Sequence, residues 1–358
     1  MLKILHIAPQ NYAGVPYDFY KMHLECGDES LLITLHKNPR DFPEDICLNL
    51  SLPNFRLAKI WRGKKILDRE EEHLVSAPFF ASKNFLENLY FVFNDKLKRK
   101  IIEESIEKYH LNDYDIIHYD TGLDFYRDSR QAKKWKREGK KIVCCYFGSD
   151  LRTRGIIKDM DEISDLNITS EFDHLSLKKD LHYLFYPYDP CELPKKKNKL
   201  NEKVRIIHSP TNRKFKGTDL IIPVIERIKK EKKIDFILLE NQPRAYVLEE
   251  KSKSDICIDQ VGGTMGGTGY GKAGIESLAM GIPTITNMTR EYEAWLSENP
   301  FVVANNSNEL YDKLIQLIDD EKLRDVIGEK GKKWVENYHS YKNVNEKLYR
   351  LYREKKLI

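Results

Sequence analysis

Short apolar runs alternate with longer segments of helical periodicity over the first 186 residues. The first run, residues 2–8, leads into Pro9, Asn11 and Gly14, which are typical of a turn between a strand and a helix. The strand-like runs are residues 2–8, 31–35, 115–119, 142–147, 167–169 and 183–186. Helix-like segments such as 84–108 and 129–138 separate several of them. This alternation predicts parallel strands joined by crossover helices.

The pattern breaks at residues 187–203 and then starts again. That stretch reads PYDPCELPKKKNKLNEK, and its prolines and lysines leave no periodic apolar face, which is typical of a linker. Strands are predicted at 204–208, 234–239, 255–259, 283–286 and 301–304, and helices at 218–230, 246–253, 272–280 and from 307 onward. Two such halves predict an α/β chain of two Rossmann-like domains facing across a cleft. The predicted domains are 1–190 and 200–338, with the C-terminal helix, residues 339–358, as a candidate to pack back on the N-terminal domain.

Composition narrows the class of protein. The 358 residues are 41% hydrophobic and 32% charged, with a net charge of only +4, so no basic excess points to nucleic acid. The six cysteines form no CxxC pair, which favours reduced thiols over a zinc site. No apolar run is long enough for a signal peptide or a membrane span, so we expect a cytoplasmic protein. Aromatic and cationic residues mix over 54–102, which favours either peripheral membrane contact or an amphipathic helix packed on the core.

The segment with the most chemical signal is 259–287, DQVGGTMGGTGYGKAGIESLAMGIPTITN. It follows a predicted strand, passes through a glycine-rich loop and enters a helix. Glycines allow backbone N–H groups to approach a ligand, and a helix start carries a partial positive charge. The segment therefore predicts a phosphate site, with Glu276 placed to reach ribose hydroxyls.

Two other nucleotide motifs overlap this loop. Residues 266–272 nearly spell a P-loop, but Ala273 stands where a Ser or Thr would bind Mg²⁺. Gly269, Gly271 and Gly274 fit G-x-G-x-x-G, but they lie several residues after the strand, and no acidic residue follows at the expected place. The sequence context disfavours both a P-loop hydrolase and a nicotinamide dehydrogenase.

A second segment, residues 206–219, reads IIHSPTNRKFKGTD. A predicted strand ends at His208, and Arg213, Lys214 and Lys216 then crowd the turn before a helix. An Arg fork and Lys point charges suit a diphosphate, whereas the alternative is a solvated basic turn.

Together the two segments resemble the donor half of the retaining GT-B glycosyltransferases of family 4, or group 1. The resemblance implies that Arg213 and Lys216 bind the donor diphosphate and support catalysis, and that Glu276 binds the ribose. It implies a donor site made of Arg213, Lys216, Thr268, Gly269, Tyr270, Gly271, Lys272 and Glu276. The family commonly shows two glutamates spaced E-x7-E, and here Thr268 takes the place of the first one.

The N-terminal half contributes candidates at the ends of predicted strands. His118 and Asp120 stand where the resembling family often has His-x-His, and Asp150 follows a later strand in a GSD turn. These three are candidate catalytic residues, with a structural histidine and a helix cap as the alternatives. Candidate residues on the acceptor side are Gly14, Val15 and Ser149.

The predicted function is transfer of a sugar, with retention, from a nucleoside-diphosphate sugar to a hydroxyl acceptor, either a glycan or a lipid-linked glycan. Asp159 and Asp161 have the spacing of a metal-binding pair, but they lie in a helical stretch with no strand before it. No metal cofactor is therefore expected. Two alternatives stay open: a GT-B sugar epimerase or hydrolase, and a catalytically inactive GT-B subunit that binds a partner protein.

Overall fold

The computed structural model describes residues 1–38, 42–51, 76–80, 85–197, 203–262 and 269–358. The chain divides into two compact units. The first unit is Met1–Pro187 together with Tyr341–Ile358, and the second is Tyr188–Ser340. The C-terminal helix therefore belongs to the first unit.

The first unit is built on a parallel sheet that has seven strands among the residues described. The strands are β1 (Lys3–Ala8), β2 (Glu29–Thr34), β3 (Ile46–Cys47), β4 (Ile116–Asp120), β5 (Lys141–Tyr146), β6 (Leu166–Thr169) and β7 (Leu181–Tyr183). Their order is β3-β2-β1-β4-β5-β6-β7. The direction of winding reverses between β1 and β4, and the carboxyl ends of strands at such a point are where open α/β sheets bind ligands.

Helices cover this sheet. They are α1 (Val15–Glu25), α2 (Phe85–Lys108), α3 (Arg130–Arg137), α4 (Ser149–Thr153), α5 (Lys158–Ile163) and α6 (His174–Leu177). Five of the eight residues of α3 are cationic. Ala132 and Trp135, which are fully buried, pack this helix against the core. The Trp135 indole N–H also donates to Asn112 Oδ1 at 2.8 Å.

The second unit has a parallel sheet of five strands within the described ranges. The strands are β8 (Val204–His208), β9 (Ile234–Leu238), β10 (Ile256–Ile258), β11 (Thr284–Thr286) and β12 (Val302–Val303), in the order β12-β11-β10-β8-β9. Its helices are α7 (Arg213–Lys216), α8 (Thr218–Glu231), α9 (Arg244–Ser252), α10 (Lys272–Ala279), α11 (Arg290–Trp295), α12 (Ser307–Asp319) and α13 (Glu321–His339). β8 and β10 are neighbours, so the segments that follow them end at the same edge of the sheet.

The last helix, α14 (Tyr341–Glu354), packs against α1 in the first unit. Its buried residues Val344, Leu348, Leu351 and Tyr352 recur every three or four positions and form one apolar face. The Tyr349 hydroxyl donates to Asp28.

The observed elements follow the predicted ones, with three visible shifts. The strand predicted at 31–35 is Glu29–Thr34, which starts two residues earlier. The strand predicted at 183–186 is Leu181–Tyr183, because residues beyond it approach Pro187 and leave the ladder. The helix predicted at 246–253 starts two residues earlier, at Arg244, directly after Pro243. Among the described residues, no helix combines the length and the apolar character that crossing a membrane requires.

Candidate functional site

The Lys216 ammonium is held at the start of the glycine-rich corner of the second unit. Its Nζ donates to Asp259 Oδ1 at 2.7 Å and to Gln260 Oε1 at 2.9 Å. Asp259 and Gln260 follow β10, while Lys216 follows β8, so the two parallel strands bring these residues together. The pair is largely withdrawn from solvent, with the Lys216 side chain 14% and the Asp259 side chain 1% exposed.

The same carboxylate also reaches the start of α10. Asp259 Oδ2 accepts from the Gly271 backbone N–H at 3.3 Å, and Gly271 is the residue that caps α10. A Cβ placed on Gly271 would lie 3.6 Å from Lys216 Nζ. The cation after β8 and the helix start after β10 therefore meet at one carboxylate.

The backbone around Lys216 is fixed by close contacts. Gly217 has φ +65°, and a Cβ on it would lie 1.8 Å from the Val261 carbonyl oxygen, so a side chain cannot fit there. Asn212 caps α7 by accepting from two backbone N–H groups. His208 links β8 to its surroundings through Ile258 O and Thr218 Oγ1, and burial lowers its pKa to about 4.

Arg213 lies in the same short helix but makes a different set of contacts. Its guanidinium donates to Glu240 Oε2 at 2.9 Å and to Asp219 Oδ1 at 3.1 Å. Its side chain is 43% exposed, so these pairs contribute little to stability and are readily exchanged. The role of Arg213 as a diphosphate ligand stays a prediction.

Glu276 lies inside α10 and is buried between two cations. Its Oε2 accepts from Lys251 Nζ at 2.9 Å, and its Oε1 accepts from Arg244 at 3.0 Å. Burial raises the pKa of Glu276, but the Lys251 and Arg244 charges outweigh this and leave it below its usual range. The carboxylate is therefore ionised, and it must share its hydrogen bonds if it also binds a ribose.

The other predicted donor residues surround this corner in different ways. Tyr270 is buried among Tyr292, Phe301 and Trp334, so its ring is part of an aromatic cluster. Gly269 adjoins the cluster, because a Cβ there would lie 2.1 Å from the Tyr292 ring. The predicted role of Thr268 falls outside the described residues.

Lys272 is the first residue of α10. Its Nζ lies 5.7 Å from the centre of the Tyr188 ring, a cation–π contact within the second unit. This contact places a second cation at the start of α10 without involving Asp259.

In the first unit, two candidate carboxylates lie at the carboxyl ends of the central strands: Asp120 is the last residue of β4, and Asp150 follows β5. Burial, together with repulsion from Asp150, raises the pKa of Asp120 well above its usual range. Burial also raises the pKa of Asp150 to about 6, although Arg154 and Arg152 oppose this shift. Asp150 Oδ1 accepts from the Gly148 backbone N–H at 3.0 Å, whereas its Oδ2 is buried without a hydrogen-bond partner. A buried carboxylate oxygen without a partner is a candidate to bind a ligand hydroxyl.

His118 belongs to a cluster of three buried histidines. Its ring centroid lies 4.7 Å from that of His6 and 5.8 Å from that of His23. Its Nε2 is 2.5 Å from the Tyr352 hydroxyl of α14, and burial lowers its pKa well below the usual value. His118 is therefore neutral, and its hydrogen bond ties the C-terminal helix to the sheet.

The predicted acceptor-side residues lie at helix starts. Gly14 has φ +76° and caps α1, and Val15 is the first residue of that helix and is buried. Ser149 is the first residue of α4. These positions place backbone N–H groups at the carboxyl ends of β1 and β5.

The carboxylates predicted not to bind metal are paired with lysines. Asp159 and Asp161 lie on α5. Asp159 accepts from Lys133 Nζ at 2.6 Å, and Asp161 forms an ion pair with Lys178 at 2.7 Å. Within the described ranges, no group of three or more His, Cys, Asp and Glu residues is arranged to hold a metal ion. Metal independence stays a prediction.

Sequence reasoning missed the residues that organise the corner. Asp259 opens the quoted glycine-rich segment, and an acidic residue directly after a strand was the available signal. Lys251 and Arg244 carried no signal, because they lie 25 and 32 residues before Glu276.

Comparison with known proteins adds to this geometry. Residues 274–350 match a family model described as glycosyl transferase-like. A curated relative, the capsular polysaccharide biosynthesis glycosyltransferase CapM of Staphylococcus aureus, is 29% identical over 146 residues. That alignment covers 38% of this chain and 38% of the length of CapM.

Solved structures match over nearly the whole chain. Sucrose-phosphate synthase from Thermosynechococcus elongatus matches with a TM-score of 0.61 and 12% identity, over 98% of both chains. A TarM variant from S. aureus, in complex with Fondaparinux, alpha-GlcNAc-glycerol and UDP, matches with a TM-score of 0.57 and 12% identity, over 98% of this chain and 100% of that one. The GT-B fold predicted from the sequence is confirmed, as is the resemblance to GT-B glycosyltransferases.

Proposed function

We propose that this chain, which has the GT-B fold of the glycosyltransferases it resembles, transfers a sugar from a nucleoside-diphosphate sugar to a hydroxyl acceptor. We further propose that the transfer retains the configuration of the sugar and needs no metal. The acceptor would be a glycan or a lipid-linked glycan of a polysaccharide pathway.

One observation carries the proposal. Lys216 Nζ and the Gly271 N–H, which come from segments after two neighbouring strands, both donate to the Asp259 carboxylate. An ammonium and a helix-start N–H are the donors that bind phosphate groups in proteins. These two donors now hold the Asp259 carboxylate, and the diphosphate of a donor sugar bound at this corner would meet the same two groups.

The corner supports departure of a diphosphate. Negative charge builds up on the leaving group as the glycosidic bond breaks, and preorganised cations stabilise that charge. Lys216 and Lys272 would act from either side of the α10 start, and Arg213 would join after exchanging its exposed pairs with Glu240 and Asp219. Cationic side chains would then do the work that Mg²⁺ does elsewhere.

The first unit would supply the acceptor side. With a pKa of about 6, Asp150 is largely ionised at pH 7, and its free Oδ2 can accept a hydrogen bond from a hydroxyl. In this proposal Asp150 orients the acceptor hydroxyl, and Asp120 and His118 hold the surrounding polar groups in place.

The comparisons favour a nucleotide donor and a glycan acceptor. The matching TarM structure contains UDP and glycan ligands, and CapM is described as acting in capsular polysaccharide biosynthesis. Both properties belong to those proteins and are extended to this chain as a proposal.

A thermal-shift screen against UDP, GDP, ADP and CDP tests the proposal. A nucleotide that binds only the folded state raises its stability, by about 2.7 kcal/mol at a hundredfold excess over Kd. Lys216→Met should weaken binding of the nucleotide that gives the largest shift by at least about tenfold, because a charge-assisted hydrogen bond contributes about 1.5–3 kcal/mol.

Lys214→Met is the matched control, because Lys214 lies in the same short helix and points to solvent. It should leave nucleotide binding within about twofold of the parent, as expected for an exposed charge. The proposal fails if no nucleotide stabilises the protein, or if the two variants weaken binding equally.

A further inference from the structure

Helix α2 is apolar on two opposite faces, which is unusual for a helix at the surface of a protein. One face packs on the core of the first unit, where Ile102 and Ile106 are buried and Asp95 accepts from the Arg127 backbone N–H at 3.0 Å. Of the stretch 54–102 discussed from the sequence, residues 54–75 and 81–84 lie outside the described residues. In α2, packing on the core is provided by this one face.

The opposite face carries a second apolar stripe that points to solvent. Its members are 46% to 74% exposed, and they are Phe85, Leu89, Val92, Phe93, Leu97 and Ile101. Their steps of one, three and four residues keep them within one half of the helix surface, over about 24 Å. Single exposed apolar residues are common, but a continuous stripe of this length marks a contact surface.

Cations accompany this stripe. Lys96, Arg99 and Lys100 are exposed on the same stretch, and among its described side chains from 85 to 101 no carboxylate is exposed. Arg99 and Lys100 pair with Glu103 and Glu104 one turn further on, at 2.7 and 3.8 Å. Such exposed pairs are weak and exchange readily for a denser anionic surface.

Further cations flank the helix. The Arg127 guanidinium lies 4.8 Å from the centre of the Phe91 ring, and Arg130 lies 3.9 Å from Asp95. Arg130 begins α3, the helix in which five of eight residues are cationic. Both contacts lie on the core-packed side of α2, so these cations add positive charge beside the helix, and Lys96, Arg99 and Lys100 are the cations of the solvent face.

We propose that the solvent face of α2, residues 85–101, docks the protein on an anionic lipid surface. An apolar stripe with flanking cations is the pattern of helices that lie in the membrane interface, with the apolar side chains inserted and the cations at the phosphates. A second copy of the chain fits less well, because each copy brings three exposed cations to this stretch. The proposal concerns lipid binding alone and is independent of the transfer reaction.

Sedimentation of the full chain with vesicles tests this surface. Vesicles of phosphatidylcholine are compared with vesicles in which about one third of the lipid is phosphatidylglycerol. Binding should be stronger to the anionic vesicles and should fall as salt is raised. Phe93→Asp should lower the partition coefficient at least about tenfold, because it places a charge in the inserted stripe.

Val326→Asp is the matched control. Val326 is 67% exposed, against 60% for Phe93, and it lies on α13 in the second unit. This variant should bind vesicles within about twofold of the parent, since a distant surface change acts independently. Lys96→Glu with Lys100→Glu should abolish the preference for anionic vesicles.

Three results would overturn the proposal. One is the absence of binding to either kind of vesicle. Another is equal binding by Phe93→Asp and the parent. The third is a concentration-dependent dimer, seen by sedimentation equilibrium and lost in Phe93→Asp, which would assign the stripe to a second copy of the chain.

Discussion

Replacing Asp259 with Asn separates the two roles that the structure gives to this carboxylate. Asp259 stabilises the corner by holding Lys216 Nζ at 2.7 Å and the Gly271 N–H at 3.3 Å. It also places a negative charge where a diphosphate would bind. Asp259→Asn keeps the shape but removes the charge and one of the two acceptor oxygens. We therefore expect lower stability together with undiminished nucleotide binding.

The loss of stability is worked from the two contacts. An ion-paired hydrogen bond contributes about 1 kcal/mol more than a neutral one, and an N–H group left without an acceptor loses about 1 kcal/mol or more. The Asp259 and Lys216 side chains are only 1% and 14% exposed, so solvent screens little of this. Asp259→Asn should therefore destabilise the protein by about 2 kcal/mol, which is about 4–8 °C in Tm for a unit of this size.

Asp259→Asn lowers stability, but it should strengthen nucleotide binding, because it removes a negative charge near the bound diphosphate. Two unit charges about 6 Å apart interact by about 2.8 kcal/mol at an effective dielectric constant of 20, and water and salt reduce this further. Removing the Asp259 charge should leave about 1 kcal/mol in favour of the bound diphosphate, or about fivefold tighter binding.

Calorimetry measures both quantities on one sample, by thermal unfolding and by nucleotide titration. Asp319→Asn is the control, because Asp319 pairs with Lys232 at 2.6 Å in the same unit but is 49% exposed. It should shift stability by less than about 1 kcal/mol and leave binding unchanged. The reasoning is refuted if Asp259→Asn leaves Tm unchanged, or if it weakens nucleotide binding more than about threefold.

Two further predictions concern the backbone at Lys216 and the histidine cluster. Gly217→Ala should lower the free energy of unfolding by more than about 2 kcal/mol in denaturant titrations, since its Cβ would meet Val261 O at 1.8 Å. Gly27→Ala, at φ +92° with open space around it, should show only the smaller strain of its backbone, and an equal loss in both would contradict the contact. Burial lowers the pKa of His6 well below 6.5, so the unfolded chain takes up a proton that the folded chain refuses, and stability is lost as pH falls below 6.5. His6→Gln should reduce the slope of unfolding free energy against pH by up to about 1.4 kcal/mol per pH unit. The quantity to measure is the difference between variant and parent, because protonation of Asp124 and Asp150 changes stability in the opposite direction. An unchanged slope would show that His6 is not the titrating group.

The fold was predictable because its signals are local. The strand at Val204–His208 was predicted to the residue, since apolar runs and the turns that bound them depend on neighbouring positions alone. The start of α10 was equally clear from Gly271 and the glycines around it. The short strand Ile46–Cys47 was missed, because two residues carry no period.

The contacts of the site were less predictable, because they join distant positions. Lys216 meets Asp259 across 43 residues, and no spacing in the sequence indicates that the two share a hydrogen bond. His118 was a candidate catalytic residue by its place near the carboxyl end of a strand, but its neighbours His6, His23 and Tyr352 come from three other elements. Tertiary packing, which the local pattern does not contain, decides these partners.

A crystal structure of the chain with UDP tests the central claim most directly. We expect the diphosphate within about 3.5 Å of both Lys216 Nζ and the Gly271 N–H, the outer range of a hydrogen bond between heavy atoms. A diphosphate bound elsewhere, with Asp259 still holding both donors, would contradict the account.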